Sequence, residues 1–181
     1  TRAHLGTLFL DELPEFDRDV LDALRQPLED GTVEIVRAHG SVRYPARLQL
    51  IAAMNPCRCG WYGDRERACH CPAREPQRYL RRVSGPLLDR IDLRVVMPRV
   101  DALELVRDAH PEPSASVAVR IRHAWERALA RGGGRPNGSL RGRRLLEVCG
   151  MDAAARRTLA EVSEGLELTA RGVHRVLRVA R

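Results

Sequence analysis

The sequence predicts an α/β unit built on parallel strands, followed by an all-helical unit. Three observations carry this reading. Two apolar runs, TLFL (7–10) and LQLIAAMN (48–55), each lead directly into polar residues, and open parallel sheets place their ligands at such carboxyl ends. Between them lies a stretch with helical apolar spacing. Near Pro98 the composition changes, and from Asp101 onward the pattern is helical throughout. Residues 1–98 are therefore read as the α/β part and 99–181 as the helical part.

Thr7–Leu10 reads as a fully buried strand. EFDRDVLDALRQPLEDG then places Val20, Leu21, Leu24 and Leu28 at helical spacing, with Pro27 expected to break or kink the helix and Gly31 to end it. Val33, Ile35, the His39–Gly40 pair, Val42 and Tyr44 predict a hairpin. Residues 48–55 form a second buried strand. In SGPLLDR (84–90), Ser84 is placed to cap a short helix that tolerates Pro86 in its first turn. IDLRVVMP (91–98) reads as a third strand. Val117, Ile121 and Trp125 form an apolar stripe, RGGGRPNG (131–138) a loop, and helices are expected near 139–149, 152–164 and 169–180.

The 181 residues are 44% hydrophobic and 30% charged, a composition for a soluble globular protein with enough chain to bury a real core. No apolar run approaches a membrane span, and TRAHLGT lacks the apolar centre of a signal peptide, so the simplest compartment is the cytoplasm. The net charge of +7 favours a polyanionic partner such as nucleic acid or nucleotide, although a basic balance also serves solubility. Every basic side chain except histidine is arginine. A P-loop needs lysine to reach the β- and γ-phosphates, so this chain holds no working P-loop.

LFLDEL (8–13) sets Asp11 and Glu12 side by side after an apolar strand. A strand running into a polar loop accounts for them plainly. A metal-and-water site at the carboxyl end of a parallel strand accounts for them chemically. Cys57, Cys59, Cys69 and Cys71 form C-x-C-x9-C-x-C. Four thiolates in two close pairs suit tetrahedral Zn²⁺, and without a secretion signal metal precedes disulfide. Unmetallated thiols and an iron–sulfur or redox role remain open. His70, between two of these cysteines, is expected to face away, and the solitary Cys149 is read as ordinary packing.

LFLDEL, RQPLEDG, a hairpin, AAMNPC, SGPLLDRID and the closing LTARG-x-HRVLRVAR resemble, in that order and nearly end to end, the AAA+ ATPases of the magnesium-chelatase and MCM-helicase branch. Within it the nearest resemblance is to the magnesium-chelatase-like bacterial subgroup of ComM/YifB type. The resemblance implies a partial AAA+ P-loop NTPase core (1–98, with a cysteine insert at 57–71), followed by a helical lid (99–181). It implies ATP and Mg²⁺ as cofactors, while Zn²⁺ as a structural ion rests on the cysteine spacing itself. Thr7–Leu10 would be the Walker B strand, with Asp11 orienting a Mg²⁺-bound water and Glu12 polarising the attacking water.

Asn55 resembles the sensor 1 residue; simple turn formation before Pro56 is its plain alternative. Arg90 resembles the arginine finger that reaches a neighbouring subunit's ATP; an ion pair with Asp89 or Asp92 is the alternative. Arg171 aligns with the sensor 2 arginine, and a solvated stripe with Arg175 and Arg178 rivals that role. The hairpin around Arg37, His39 and Arg43 resembles the pre-sensor 1 hairpin that faces DNA in the pore of a ring, making phosphate contacts that read no sequence. A solvated surface hairpin is the alternative.

The resemblance places a strand–P-loop–helix unit ahead of Thr1, its strand lying between those at 48–54 and 91–95. The function implied is ATP hydrolysis coupled to movement on DNA, as in ComM-like branch-migration helicases, by a self-assembled, hexameric ring without membrane attachment. Two other readings stand beside it. One is a magnesium-chelatase motor subunit acting on a protein partner, which the cysteine insert argues against. The other is a non-catalytic, zinc-stabilised assembly module.

Overall fold

The computed structural model describes residues 2–100 and 111–181, so the helical pattern expected over 101–110 lies outside the described residues. The chain divides into two compact units, Thr1–Ile91 and Asp92–Arg181.

In the first unit, β1 (Thr7–Leu10) pairs in parallel with β4 (Gln49–Ala52), with Phe9 opposite Ile51 and Leu10 opposite Ala52. The hairpin is β2 (Thr32–Arg37) and β3 (Gly40–Pro45), antiparallel, with Ile35 opposite Val42 and Glu34 opposite Arg43. Its two-residue turn is Ala38–His39, one position earlier than the His-Gly pair suggests. Gly40 opens the return strand at a φ of 137°, a conformation that excludes most side chains.

Neither parallel strand is fully buried. Successive side chains point to opposite faces, and only one face of this pair is covered. Leu10 packs on the core of Leu13, Leu21, Val83 and Leu87, while Phe9 and Ile51 remain 60% and 45% exposed.

The helix expected before Gly31 is two short helices, α1 (Arg18–Ala23) and α2 (Arg25–Asp30), separated at Leu24. The interruption precedes Pro27 for a physical reason. Proline lacks the N–H that would bond the carbonyl four residues earlier, here Ala23, and its ring crowds that carbonyl. The chain turns at Leu24, whose N–H bonds Leu21, and resumes. Gly31 ends α2 at a φ of 68°. Leu21 is buried in the core, but Val20, read as part of the same apolar face, is 54% exposed.

After the cysteine segment comes α3 (Glu75–Leu80), which the periodicity did not indicate, and then α4 (Gly85–Leu88). The Ser84 hydroxyl accepts from the Leu87 N–H at 3.4 Å and donates to Asp22 at 2.6 Å, so one residue both caps α4 and ties it to α1.

Residues 91–98 form no strand. No ladder partner lies beside them among the described residues, and Leu93, Val95, Val96 and Met97 are 66–91% exposed. An apolar run becomes a strand only when another strand satisfies its backbone.

The second unit holds α5 (Ser114–Gly132), α6 (Gly142–Cys149), α7 (Ala153–Gly165) and α8 (Ala170–Ala180). Asp152 caps α7 and Thr169 caps α8 through side-chain oxygens. Leu140, Leu145 and Leu177 form the core, with Val148, Cys149, Leu159 and Val173 against it. The stripe on α5 is not buried there: Ile121 and Trp125 are 61% and 53% exposed. No helix among the described residues is long and apolar enough to cross a membrane.

Candidate active site and cysteine cluster

Beyond the last ladder pair, β1 and β4 stay joined by backbone. The Ala53 N–H donates to Leu10 at 2.9 Å, and the Leu13 N–H donates to Ala53 at 3.0 Å. Asp11 and Glu12 therefore leave β1 beside the segment that carries Asn55 out of β4, and all three residues are exposed. The Glu12 N–H donates to Asp11 Oδ1 at 2.9 Å. Glu12 itself sits in the left-handed region, at φ 50° and ψ 46°. Few non-glycine residues adopt it, and such strain is found at functional sites. Hard carboxylate oxygens at an open sheet end fit Mg²⁺, which keeps most of its waters and needs only one or two protein carboxylates. Tyr79, 3% exposed, lies near this end. Burial first, then the charges of Glu15 and Glu12, push its phenol pKa up.

Arg90 is largely buried, its side chain 11% exposed. Its guanidinium pairs with Glu29 rather than with Asp89 or Asp92, and it donates to the Pro86 carbonyl at 2.6 Å. Its Nε is buried without a partner. Arg171 is exposed near the start of α8. Arg178, which the sequence groups with it on one solvated stripe, is not solvated: its side chain is 15% exposed and pairs with Asp92 at 3.8 Å. Burial first and then the Arg141 charge lower its pKa.

The hairpin is exposed along almost its whole length. Arg37 and His39 stand at its tip, both exposed. Arg43 lies across the ladder from Glu34 and pairs with it at 3.8 Å, so part of its charge is already answered.

The four cysteines converge. Cys57 Sγ lies 3.4 Å from Cys59 Sγ and 3.7 Å from Cys69 Sγ, Cys59 and Cys69 are 3.5 Å apart, and all four sulfurs fall within 4.8 Å of one another. A tetrahedron of Zn–S bonds of about 2.3 Å has edges near ~3.8 Å, which these separations approach. Backbone N–H groups serve the sulfurs. Trp61 and His70 donate to Cys59, Cys71 donates to Cys69, and Cys59 donates to Cys71, so the two C-x-C turns are bonded to each other.

The Trp61 N–H is the main reason that the Cys59 thiol drops to about 6. For Cys69 the Cys71 N–H works downward, but burial and the neighbouring thiols outweigh it and push the thiol up to about 12. One thiolate beside three sulfurs crowded around it is a donor set for a soft divalent cation. His70 is exposed and is not one of the converging donors. Cys149 packs against the second core, and burial raises its pKa.

Sequence reasoning missed Glu29 as the partner of Arg90, because 61 residues separate them and no local spacing marks the pair. It also missed the arginines of α3, whose spacing in AREPQRYLRR was there to be read.

The family described as magnesium chelatase, subunit ChlI, matches residues 1–105, and the magnesium chelatase, subunit ChlI C-terminal family matches residues 111–181. YifB of Salmonella typhimurium is 43% identical over 181 residues, covering 99% of this chain and 35% of the relative. Rv2897c of Mycobacterium tuberculosis is 42% identical over 183 residues, covering 99% of the chain and 36% of the relative. The competence protein ComM of Haemophilus influenzae is 40% identical over 178 residues, covering 97% and 34%. The chain thus spans about a third of the length of these relatives.

Proposed function

Because the chain belongs to the magnesium chelatase, subunit ChlI, family, we propose that it supplies the hydrolytic edge and lid of an AAA+ ATPase that couples ATP hydrolysis to movement on DNA. The observation that carries this reading is the parallel pairing of β1 with β4, which delivers Asp11, Glu12 and Asn55 to one open end of the sheet. Bound Mg²⁺ supplies positive charge to the phosphate oxygens. Asp11 would hold that ion through a water, Glu12 would orient and polarise the attacking water, and Asn55 would fix the same water. Arg90 is proposed to reach the nucleotide of a neighbouring subunit, and Arg171 to contact nucleotide from the lid.

Arg37, His39 and Arg43 are proposed to meet DNA phosphates, which the net charge of +7 and the exposure of the hairpin tip favour. Structural Zn²⁺ would be held by Cys57, Cys59, Cys69 and Cys71. The test is steady-state hydrolysis by the full-length protein. Glu12→Gln should bind ATP and lose most turnover, and DNA should stimulate the parent. Stimulation by a protein partner and by no DNA would favour a chelatase motor instead. The 181-residue chain alone should hydrolyse no appreciable ATP, having no lysine for the phosphates. If the full-length protein is equally inactive, the cysteine cluster favours the remaining reading, a zinc-stabilised assembly module.

A further inference from the structure

Arg74, Arg78, Arg81 and Arg82 fall at i, i+4, i+7 and i+8 across α3 and its two ends, so they share one face. The opposite face buries Pro76 and Tyr79. Arg82 is answered by Glu15 at 2.9 Å. Arg74, Arg78 and Arg81 are exposed and have no side-chain partner among the described residues.

Two clefts meet on this face. One, of about 680 Å³, is lined by Arg74, Arg78 and Arg81. The other, of about 330 Å³, is lined by Phe16, Arg18, Arg78, Arg81 and Arg82. Arg78 and Arg81 belong to both and form the ridge between them. Asp17 and Glu75 are the carboxylates of the two clefts, and Glu75 is engaged by Arg58 at 3.4 Å.

Local physics gives no reason for this arrangement. Like charges four and three residues apart oppose helix formation, and a cation at the N-terminal end opposes the helix dipole. Among the described residues no carboxylate pairs with these three guanidiniums; a polyanion outside the unit would. The platform is also fixed in place. Cys71 lies three residues before Arg74, and the Arg58–Glu75 pair joins the first cysteine turn to α3.

The geometry points to this face as a binding surface for single-stranded nucleic acid, separate from the hairpin. Along the helix Arg74 and Arg78 are about 6 Å apart and Arg78 and Arg81 about 4.5 Å. That run of about 10 Å sets the three guanidiniums in one line, so that they can meet successive phosphates of one strand. Phe16, 37% exposed in the smaller cleft, offers an aromatic face against which a base stacks. Guanidiniums tracking a backbone beside a stacking ring are the pattern by which proteins hold single strands without reading sequence.

The test is fluorescence anisotropy of a labelled 20-nucleotide oligo(dT) with the zinc-loaded 181-residue chain across 50–200 mM salt. Replacing Arg74, Arg78 and Arg81 together by alanine should weaken binding at least about tenfold and reduce the salt slope by about two units. Arg78→Gln alone should remove about 0.7 of a unit, which keeps the test informative if the triple variant folds poorly. Phe16→Ala should weaken binding with the slope unchanged. Arg37→Ala should leave the α3 losses intact, since this surface does not depend on the hairpin. Unchanged affinity and slope in the arginine variants would overturn the inference. So would a 20-residue polyglutamate that competes as well as oligo(dT), or a duplex bound as tightly through the same arginines.

Discussion

Arg90 is latched to Glu29 within its own unit: the pair joins α2 to the second residue beyond α4, with the arginine largely buried and the glutamate 42% exposed. A guanidinium that must reach a neighbouring subunit's nucleotide would first have to leave this partner. The latch therefore separates two roles that one alanine substitution would confound.

Glu29→Gln should lower stability by about 1–2 kcal/mol, because it leaves a buried guanidinium without its charge while the lost carboxylate was half in water. Thermal unfolding of the chain reads this directly. In the full-length protein the same substitution should spare ATP hydrolysis, whereas Arg90→Ala should reduce it by a factor on the order of 10³ or more. Equal hydrolysis by the parent and Arg90→Ala would make Arg90 purely structural.

Metal should matter to the fold of residues 57–75. Removing zinc with a chelator, or replacing Cys57 by Ser, should lower the melting temperature and release the Arg58–Glu75 link to α3. Cys57 is the decisive position because it is fully buried. Elemental analysis should find about one zinc per chain.

Zinc binding should also release protons in a defined number. The Cys59 thiol, drawn down to about 6, is already ionised at neutral pH, while Cys69, at about 12, and Cys71, also raised, are not. Binding at pH 7 should thus expel at least the two protons of Cys69 and Cys71, and affinity should fall as the pH drops toward 6. Titration calorimetry in buffers of different ionisation enthalpy measures the count. A release of four protons would show that Cys59 is not pre-ionised.

What was legible in the sequence was local. Ser84 caps its helix as its position suggested, helices occupy the regions expected around 139–180, and the cysteine spacing alone announced a cluster. Features that depend on distant chain were not legible. The run at 91–98 is apolar enough for a strand, yet a strand exists only with a neighbour. The break attributed to Pro27 appears at Leu24 because proline acts on the carbonyl four residues back. The burial of TLFL failed on the same ground as the third strand. Alternation decides which face of Phe9 looks outward, but only a second layer decides whether that face is covered.

The hairpin arginines should not be equivalent on DNA. Arg43 shares its charge with Glu34 at 3.8 Å, whereas Arg37 stands exposed at the tip. Arg37→Ala should reduce the salt slope for duplex binding by about 0.9 of a unit and weaken all sequences alike. Arg43→Ala should do less, and Glu34→Gln should strengthen binding by freeing Arg43. Sequence-selective losses would count against phosphate contact.

Glu12 offers the most direct link between backbone and chemistry. Its left-handed conformation, φ 50° and ψ 46°, costs a non-glycine residue about 1 kcal/mol or more. Glu12→Gly should therefore stabilise the chain, by about 0.5–1 kcal/mol, because glycine adopts that region without a Cβ clash. Glu12→Gln keeps the Cβ and should leave stability unchanged. In the full-length protein both substitutions should abolish most hydrolysis, since both remove the carboxylate, while nucleotide binding persists. A gain in stability paired with a loss of turnover would show that the strain holds the carboxylate in place for its work on water. If Glu12→Gly destabilises the chain, the strain argument fails; if Glu12→Gln hydrolyses ATP at the parent rate, the chemical role of Glu12 fails independently of it.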